Sequence, residues 1–518
     1  MQRLILFLCG LLSAGLAQAQ SERALVRGRV TDGINGEALT GANIRLENTN
    51  YGTAADLQGG YELPVPAGTV TLRVSYLGYR DTVLTVEAAG GATVTQDVRL
   101  NSATVELSGV QITGRLQGQA RALNQQKTAD NIKNVVAADQ IGRFPDPNAA
   151  EALQRVPGVN IERDQGEGRY VLVRGLAPQF TNISVNGEQI PSPEADVRFV
   201  ALDAIPADQL AALEVTKALT PDMDGDAIGG AVNLITRTAQ SAQPRVTASL
   251  VGGYNNLMQR PNLQGSLQYG QRFGPGERFG LMLNTSYYHN DLGSDNWERE
   301  PFDNELELRD YELTRTRLGL SSTLDYRLGD HGELYFRTLY SRFTDREWRR
   351  RYVFVPDDGE VERNTKDRFE EQSVLALNLG GRHSFPHLQL DYEVQYSYAE
   401  QDTPYDYELG FLAGLDHTVD FNPDFPVLNA PGYLDNSNYG FDALEVGNTL
   451  AQDRNLTAKV NVGLPYRVGA NEGLFKFGAK VRRKEKQFDI TQTVYENLGG
   501  VPNADFFAGG LDDDSFLD

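Results

Sequence analysis

The sequence predicts a mainly β chain: a small β-sandwich, then a compact α+β domain, then an incomplete antiparallel transmembrane β-barrel. Three observations carry this. Residues 25–100 read as short strands broken by Gly, Asn and Asp. Residues 128–238 mix helical starts and stops with short alternating strands. From Arg245 onward, apolar and polar residues alternate over runs of about ten, the length a tilted strand needs to cross a bilayer.

Bulk properties agree. The chain has 518 residues, enough for several modules, and 52 Gly with 23 Tyr suit a β-rich protein. A net charge of -22 repels phosphates and argues against a nucleic-acid partner. The mean hydropathy of -0.41 is that of a polar chain. A membrane barrel gives the same average, because it shows lipid only every second residue.

Arg3, an apolar run from Leu4 to Leu16 and then Ala17-Gln18-Ala19 read as a secretory signal peptide over residues 1–19, cleaved after Ala19. The one cysteine, Cys9, lies in that leader, so the mature chain forms no disulfide. Leu6-Phe7-Leu8 before it is no lipobox. The segments GRVTD, LTGANIRL, GGYELPVPAG and LRVSYLGY within residues 20–104 resemble a carboxypeptidase-regulatory-like domain. That stretch offers no metal-ligand cluster, no histidine and no cysteine, so a scaffold is expected.

In the α+β region, Asp146 is expected to cap a helix with Pro147 at its first position, stopped by Pro157 after Val156. Strands are expected at Val159–Arg163, Tyr170–Arg174 and Ile183–Val185, the last ending in the turn Asn186-Gly187. A second helix is expected from Pro206 to Leu213, with strands near Glu214–Thr216 and Val232–Thr236. The run AEALQRVPGVNIERDQGEGRYVLVRG, the VNG of Val185–Gly187 and AIGGAVNLITR resemble, in order and spacing, the plug of a TonB-dependent outer-membrane receptor. The resemblance implies a plug domain over residues 128–240 with signature residues Arg174, Gly175, Asn186, Gly187, Gly229 and Gly230. Plain chemistry gives the glycines positive-φ turns and lets Arg174 pair with a carboxylate, either nearby or on the barrel wall. The run Asp222-Met223-Asp224-Gly225-Asp226 superficially suggests a calcium loop, but its Gly is two places early and its twelfth position is Asn233. A capped turn is expected there.

Between sandwich and plug, a linker over residues 105–127 contains Val110, Gln111, Ile112, Thr113 and Gly114. This resembles the TonB box, the family's energy-coupling segment. An extended β-prone pentamer on a loose tether (Gly109, Gly114 and Gly118) can add a strand to a partner's sheet edge. The bland alternative is the sandwich's own last strand.

In the barrel region (residues 241–518), Leu263, Gly265, Leu267, Tyr269 and Phe273 share one face against Gln264, Ser266, Gln268 and Arg272. The same dyad runs through Leu318–Leu328, Leu388–Tyr398 and Leu456–Tyr466. Tight turns are expected at Gly274–Glu277, Gly329–Gly332, Pro386-His387 and Gly469–Gly473, and long polar loops at His289–Arg309, Thr344–Glu370 and Ala399–Arg454. Sorting of loop lengths by side is what a membrane barrel gives. Nine strands are expected, against the even count and about 22 strands of a closed plugged barrel, so the chain is expected to be the N-terminal fragment of a longer receptor.

The resemblance implies a transporter in the outer membrane of a Gram-negative bacterium that imports a scarce solute. Its expected partners are TonB with its inner-membrane energising complex, outer-membrane lipid and the solute; no cofactor and no metal are expected. A non-transporting surface adhesin on the same barrel is the alternative, and it would need no coupling segment. An enzyme is not expected: five histidines are scattered through the barrel region without Ser/His/Asp or metal spacing. The stretch Glu400–Asp453 holds Tyr405, Tyr407, Phe411, Tyr433 and Tyr439 among many Asp and Asn. Flat aromatic faces beside carboxylates and amides suit an oligosaccharide, whereas an anionic ferric siderophore would want Arg and Lys. The same aromatics could instead pack the loop on itself.

Overall fold

The computed structural model describes residues 23–496 apart from 34–35, 37, 57–58, 102–121, 130, 142–145, 196, 301–303, 330–331, 423–424 and 469–470. The expected signal peptide, Cys9 and the coupling segment Val110–Gly114 lie outside the described residues.

The N-terminal part is a sandwich of two four-stranded sheets. In one, Arg23–Asp32 pairs antiparallel with Gly60–Pro66 and parallel with Thr93–Thr95 and Val98–Leu100. In the other the order is Gly52–Ala54, Asn43–Leu46, Gly68–Ser75, Thr82–Ala88. Alternation aims Val26, Val30, Ile44, Leu63, Leu72 and Val74 into the space between the sheets, where all are buried.

The plug is built on a five-stranded sheet in the order Glu188–Gln189, Thr181–Val185, Gly230–Thr236, Leu210–Thr216, Lys133–Ala137. A hairpin of Val159–Asp164 and Glu167–Val173 stands beside it. Asn186 (φ 54) and Gly187 (φ 97) form the expected two-residue turn, with Val185 paired to Glu188. Gly230, at φ +152, has no room for a side chain: a Cβ would lie 2.8 Å from the Thr216 carbonyl oxygen.

Two expectations need correction. The helix is only Ala149–Leu153, and its cap is Asn148, whose Oδ1 accepts from the Glu151 N–H at 3.0 Å. Asp146 instead takes both Nη atoms of Arg155 at 2.5 Å. The second expected helix is a 3-10 turn, Ala207–Gln209, leading into the strand Leu210–Thr216. That strand pairs with Gly230–Thr236 on one side and Lys133–Ala137 on the other, so sheet hydrogen bonds override a weak helical preference.

The rest is one antiparallel sheet of nine strands in sequence order: Arg245–Asn255, Arg260–Phe273, Phe279–Glu300, Glu305–Leu328, Gly332–Val355, Glu360–Phe385, Leu388–Gly414, Gly440–Val468 and Asn471–Glu496. We call this sheet the wall and number its strands one to nine. The alternation is as expected, but the long loops are not loops. Strands three to nine run 22–29 residues, so most of His289–Arg309, Thr344–Glu370 and Ala399–Arg454 is paired strand projecting beyond the lipid band. Polar residues there read as loop, yet their period of two is kept. Among the described residues, no helix is long and apolar enough to cross a membrane.

The faces of the wall are distinct. One carries the exposed side chains Leu320, Val394, Leu456, Val460, Phe477 and Val481. The other carries Arg317, Ser341, Gln395, Lys459 and Arg482, and it holds the plug.

The plug and wall interface as candidate functional site

Plug and wall meet through ion clusters more than through an apolar core. In the largest, Glu167 sits at the start of the plug strand Glu167–Val173 and receives two arginines from wall strand four. Arg315 Nη1 lies 3.1 Å and Arg317 Nη2 2.5 Å from Glu167 Oε2. Both arginines are buried, at 1% and 0% exposure. Arg315 also reaches Gln165 (2.6 Å) and the wall's own Asp345 (3.2 Å), while Arg317 Nε donates to the Asp203 carbonyl at 2.7 Å. Behind this, Arg169 pairs with Asp164 at 2.7 Å and with Glu194.

Burial alone would raise the Glu167 carboxyl, but Arg317 and Arg315 outweigh it and hold it down at about 2. Asp203 is the opposite case. Burial pushes its carboxyl up to about 6 although Arg169, Arg317 and Arg315 pull the other way, and its Oδ1 has no hydrogen-bond partner among the described residues. The signs follow. Glu167 contributes stability that is complete above its ordinary value near 4.5 and is lost as pH falls towards about 2. Asp203 makes the folded state bind a proton more tightly, so stability falls as pH rises from its ordinary 3.8 through about 6. An Asp203→Asn variant is expected to lose that downward slope between about pH 4 and pH 6 and to keep the acid limb; urea midpoints across the range check it.

A second cluster lies on wall strands eight and nine. Fully buried Glu188 takes Lys459 Nζ at 2.9 Å and Lys480 Nζ at 2.6 Å, and Lys459 also meets Glu393 at 2.6 Å. Asp224 pairs with Lys480 at 3.1 Å and Arg482 at 2.5 Å, and Arg482 also donates to Gln189 at 2.5 Å. The Asp222–Asp226 run is thus a turn that anchors the plug. Among the described residues no group of three or more His, Cys, Asp or Glu is placed to hold a metal. Neutral contacts fill the gaps: Gln209 to Ser286 (2.8 Å), Asn284 to the Asp208 carbonyl (2.9 Å), and Gln401 to the Ala195 N–H (3.1 Å). The apolar share from the wall is small: Leu339, Val374, Ala376 and Ala399 join the plug's core.

Arg174 takes no part. It is exposed, makes no ion pair among the described residues, and sits at φ 59 in a two-residue turn with Gly175 (φ 72). Among the described residues, no salt bridge runs from Arg174 to the wall. Asn186 works inside the plug, accepting from the Thr236 N–H and hydroxyl at 3.1 Å. The missed residues are Glu167, Glu188, Arg315 and Arg317. Their readable signal was two arginines two apart on the polar face of a wall strand.

The five aromatic candidates do not converge on one site. Phe411, Tyr433 and Tyr439 pack with Phe354, Val361 and Ala413 in an apolar cluster that also holds Leu415, Val419, Phe421, Leu428 and Ala430 against the wall. Tyr405 and Tyr407 stack on each other with centroids 5.4 Å apart. Both belong to strand seven, on the face away from the plug, since Tyr405 pairs with Phe369 while Val374 and Ala376 of that neighbouring strand face inward. The sandwich also touches the wall: Arg29 Nη1 meets Glu277 at 3.0 Å and its Nη2 donates to the Gln240 carbonyl at 3.0 Å.

Comparison with known proteins defines the class. Residues 26–112 match the model of the CarboxypepD_reg-like domain, and residues 125–231 that of the TonB-dependent receptor plug domain. The chain thus carries a CarboxypepD_reg-like domain followed by a TonB-dependent receptor plug domain. It is 25% identical to "TonB-dependent receptor P3" of Formosa agariphila over 46% of this chain and 23% of that protein. It is 30% identical to the "Ferric enterobactin receptor" of Pseudomonas aeruginosa over 23% of this chain and 18% of that one. Its matches thus span less than a quarter of the length of these relatives. Among solved structures, the unliganded ferric citrate transporter FecA aligns over 74% of this chain and 62% of its own, at 12% identity and a TM-score of 0.33.

Proposed function

We propose that this chain serves TonB-dependent import of a scarce solute across the outer membrane. Solute binds on the lumen side above the plug, and TonB, energised from the inner membrane, pulls on the segment around Ile112 to displace the plug. The observation that carries this reading is the plug's attachment. Ion pairs and single hydrogen bonds dominate the interface, and each can be exchanged for water as the plug shifts, whereas a broad apolar interface would have to be pulled apart.

For the solute we favour an oligosaccharide. The support comes from the lumen face above the plug rather than from the aromatics named in the sequence. There Arg309, Glu307, Arg351, Glu408 and Arg349 form a ladder: Arg309 Nε to Glu307 is 2.6 Å, Arg351 to Glu307 is 3.7 Å, and Glu408 takes Arg351 at 3.1 Å and Arg349 at 3.0 Å. With Glu298, 2.6 Å from Arg309, three carboxylates answer three guanidiniums, and alternating donors and acceptors that neutralise one another suit a hydroxyl-rich neutral ligand, which donates and accepts at every ring. A multiply charged chelate would have to displace the carboxylates. The two ferric enterobactin receptors among the relatives keep a siderophore as the second reading.

Calorimetric titration of the complete receptor with glycan and ferric-siderophore panels tests the choice. Glycan binding weakened at least tenfold by Glu408→Gln is expected; tight siderophore binding with no glycan response would end the oligosaccharide reading.

A further inference from the structure

Above the lipid band, on the face of the wall that turns away from the plug, three aromatic rings form a file. Phe369 and Tyr405 have centroids 6.3 Å apart at 28°, and Tyr405 and Tyr407 are 5.4 Å apart at 20°. The Arg346 guanidinium brackets the file, 5.9 Å from the Tyr405 ring and 5.5 Å from the Trp348 ring, and is held at 3.0 Å by Asp367. Tyr407 keeps 39% exposure. A near-parallel ring file edged by a fixed guanidinium–carboxylate pair offers stacking faces with donors and acceptors at their border. Sugar rings use both.

Height identifies the occupant. The last apolar row of the outer face is Leu320, Tyr340, Leu375 and Tyr398, paired across four strands. Phe369 lies six residues beyond Leu375 on strand six, about 20 Å along the strand at 3.3 Å per residue. With the usual strand tilt that is about 15 Å above the hydrocarbon. The rings therefore stand clear of the aromatic girdle, at the level of whatever saccharide the outer leaflet's lipids carry, and they face the lipid side.

We propose that Phe369, Tyr405, Tyr407 and Trp348, with Arg346 and Asp367, form a docking site for the headgroup saccharide of an outer-leaflet glycolipid. The site is separate from the solute path, because the wall stands between it and the lumen. It rests on the outer-membrane reading, so recovery of the protein in the outer-membrane fraction is scored first and tests that reading alone.

The 518 residues hold two tryptophans, Trp297 and Trp348, so in a background where Trp348 is the sole tryptophan kept, with Trp297 and any other replaced by Phe, emission reports Trp348. The membrane-extracted protein is titrated in mixed detergent micelles with glycolipid, with the same lipid stripped of its sugars, and with the free saccharide. A saturable Trp348 response to the glycolipid is expected. It should be weakened at least tenfold by Tyr405→Ala with Tyr407→Ala, and be absent with the stripped lipid. A second variant, Arg346→Gln, keeps the rings and should weaken the response several-fold. An equal response to stripped lipid, or unchanged titration in the tyrosine double variant, overturns the proposal. So does a response to the free saccharide as tight as that to the glycolipid.

Discussion

Replacing Glu167 by Gln is expected to loosen the plug in its wall by about 3–5 kcal/mol, the usual cost of removing one partner from a buried ion cluster. Glutamine keeps the shape and one acceptor but leaves Arg315 and Arg317 buried with less than their charge answered. Amide exchange in the strand Glu167–Val173 should quicken by at least a hundredfold, since every 1.4 kcal/mol is tenfold. A second change, Arg317→Gln, made on top of the first should cost less than it does alone, because the two groups belong to one cluster. Unaltered exchange in Glu167→Gln would mean that the cluster does not hold the plug.

Ile112→Pro is expected to abolish energised uptake in the complete receptor while leaving solute affinity unchanged. Proline removes a backbone donor and fixes φ, and both matter if the segment works by adding a strand to TonB. Affinity is set on the far side of the plug and should not respond. Uptake at the wild-type rate would return Val110–Arg115 to its bland alternative, a strand of the sandwich.

Much of this architecture was legible because period-two alternation survives in both the sandwich and the wall. The turn at Asn186-Gly187 was legible because only a few residue pairs fit two consecutive positive φ values. Leu210–Thr216 was not: its residues are acceptable in a helix, and only the flanking strands Lys133–Ala137 and Gly230–Thr236 make it a strand. The wall's length was misread for a related reason. Charged residues at every second position look like loop to a reader seeking a lipid face, although above the membrane neither face needs to be apolar. The arginines of wall strand four could be seen on its polar face, but their pairing with Glu167, like that of Lys459 with Glu188, joins residues more than a hundred positions apart and was beyond reach.

One irregularity in strand seven decides which compartment its aromatics address. Asp402 pairs with Glu371 but Tyr405, three residues on, pairs with Phe369, only two back. The extra residue falls around Pro404, which has no N–H to give to a ladder and is tolerated at such a bulge. Before it, odd-numbered side chains of the strand, such as Gln395 and Gln401, reach the plug; after it, even-numbered ones such as Glu408, paired with Arg349, take that same face of the wall. A strand without that residue would turn Tyr405, Tyr407 and Phe411 onto the face that holds the plug and swing Glu408 to the opposite face. Deleting one residue there would exchange the two surfaces wholesale, so a single-residue insertion or deletion is the smallest step that trades an outward-facing surface for one on the plug side.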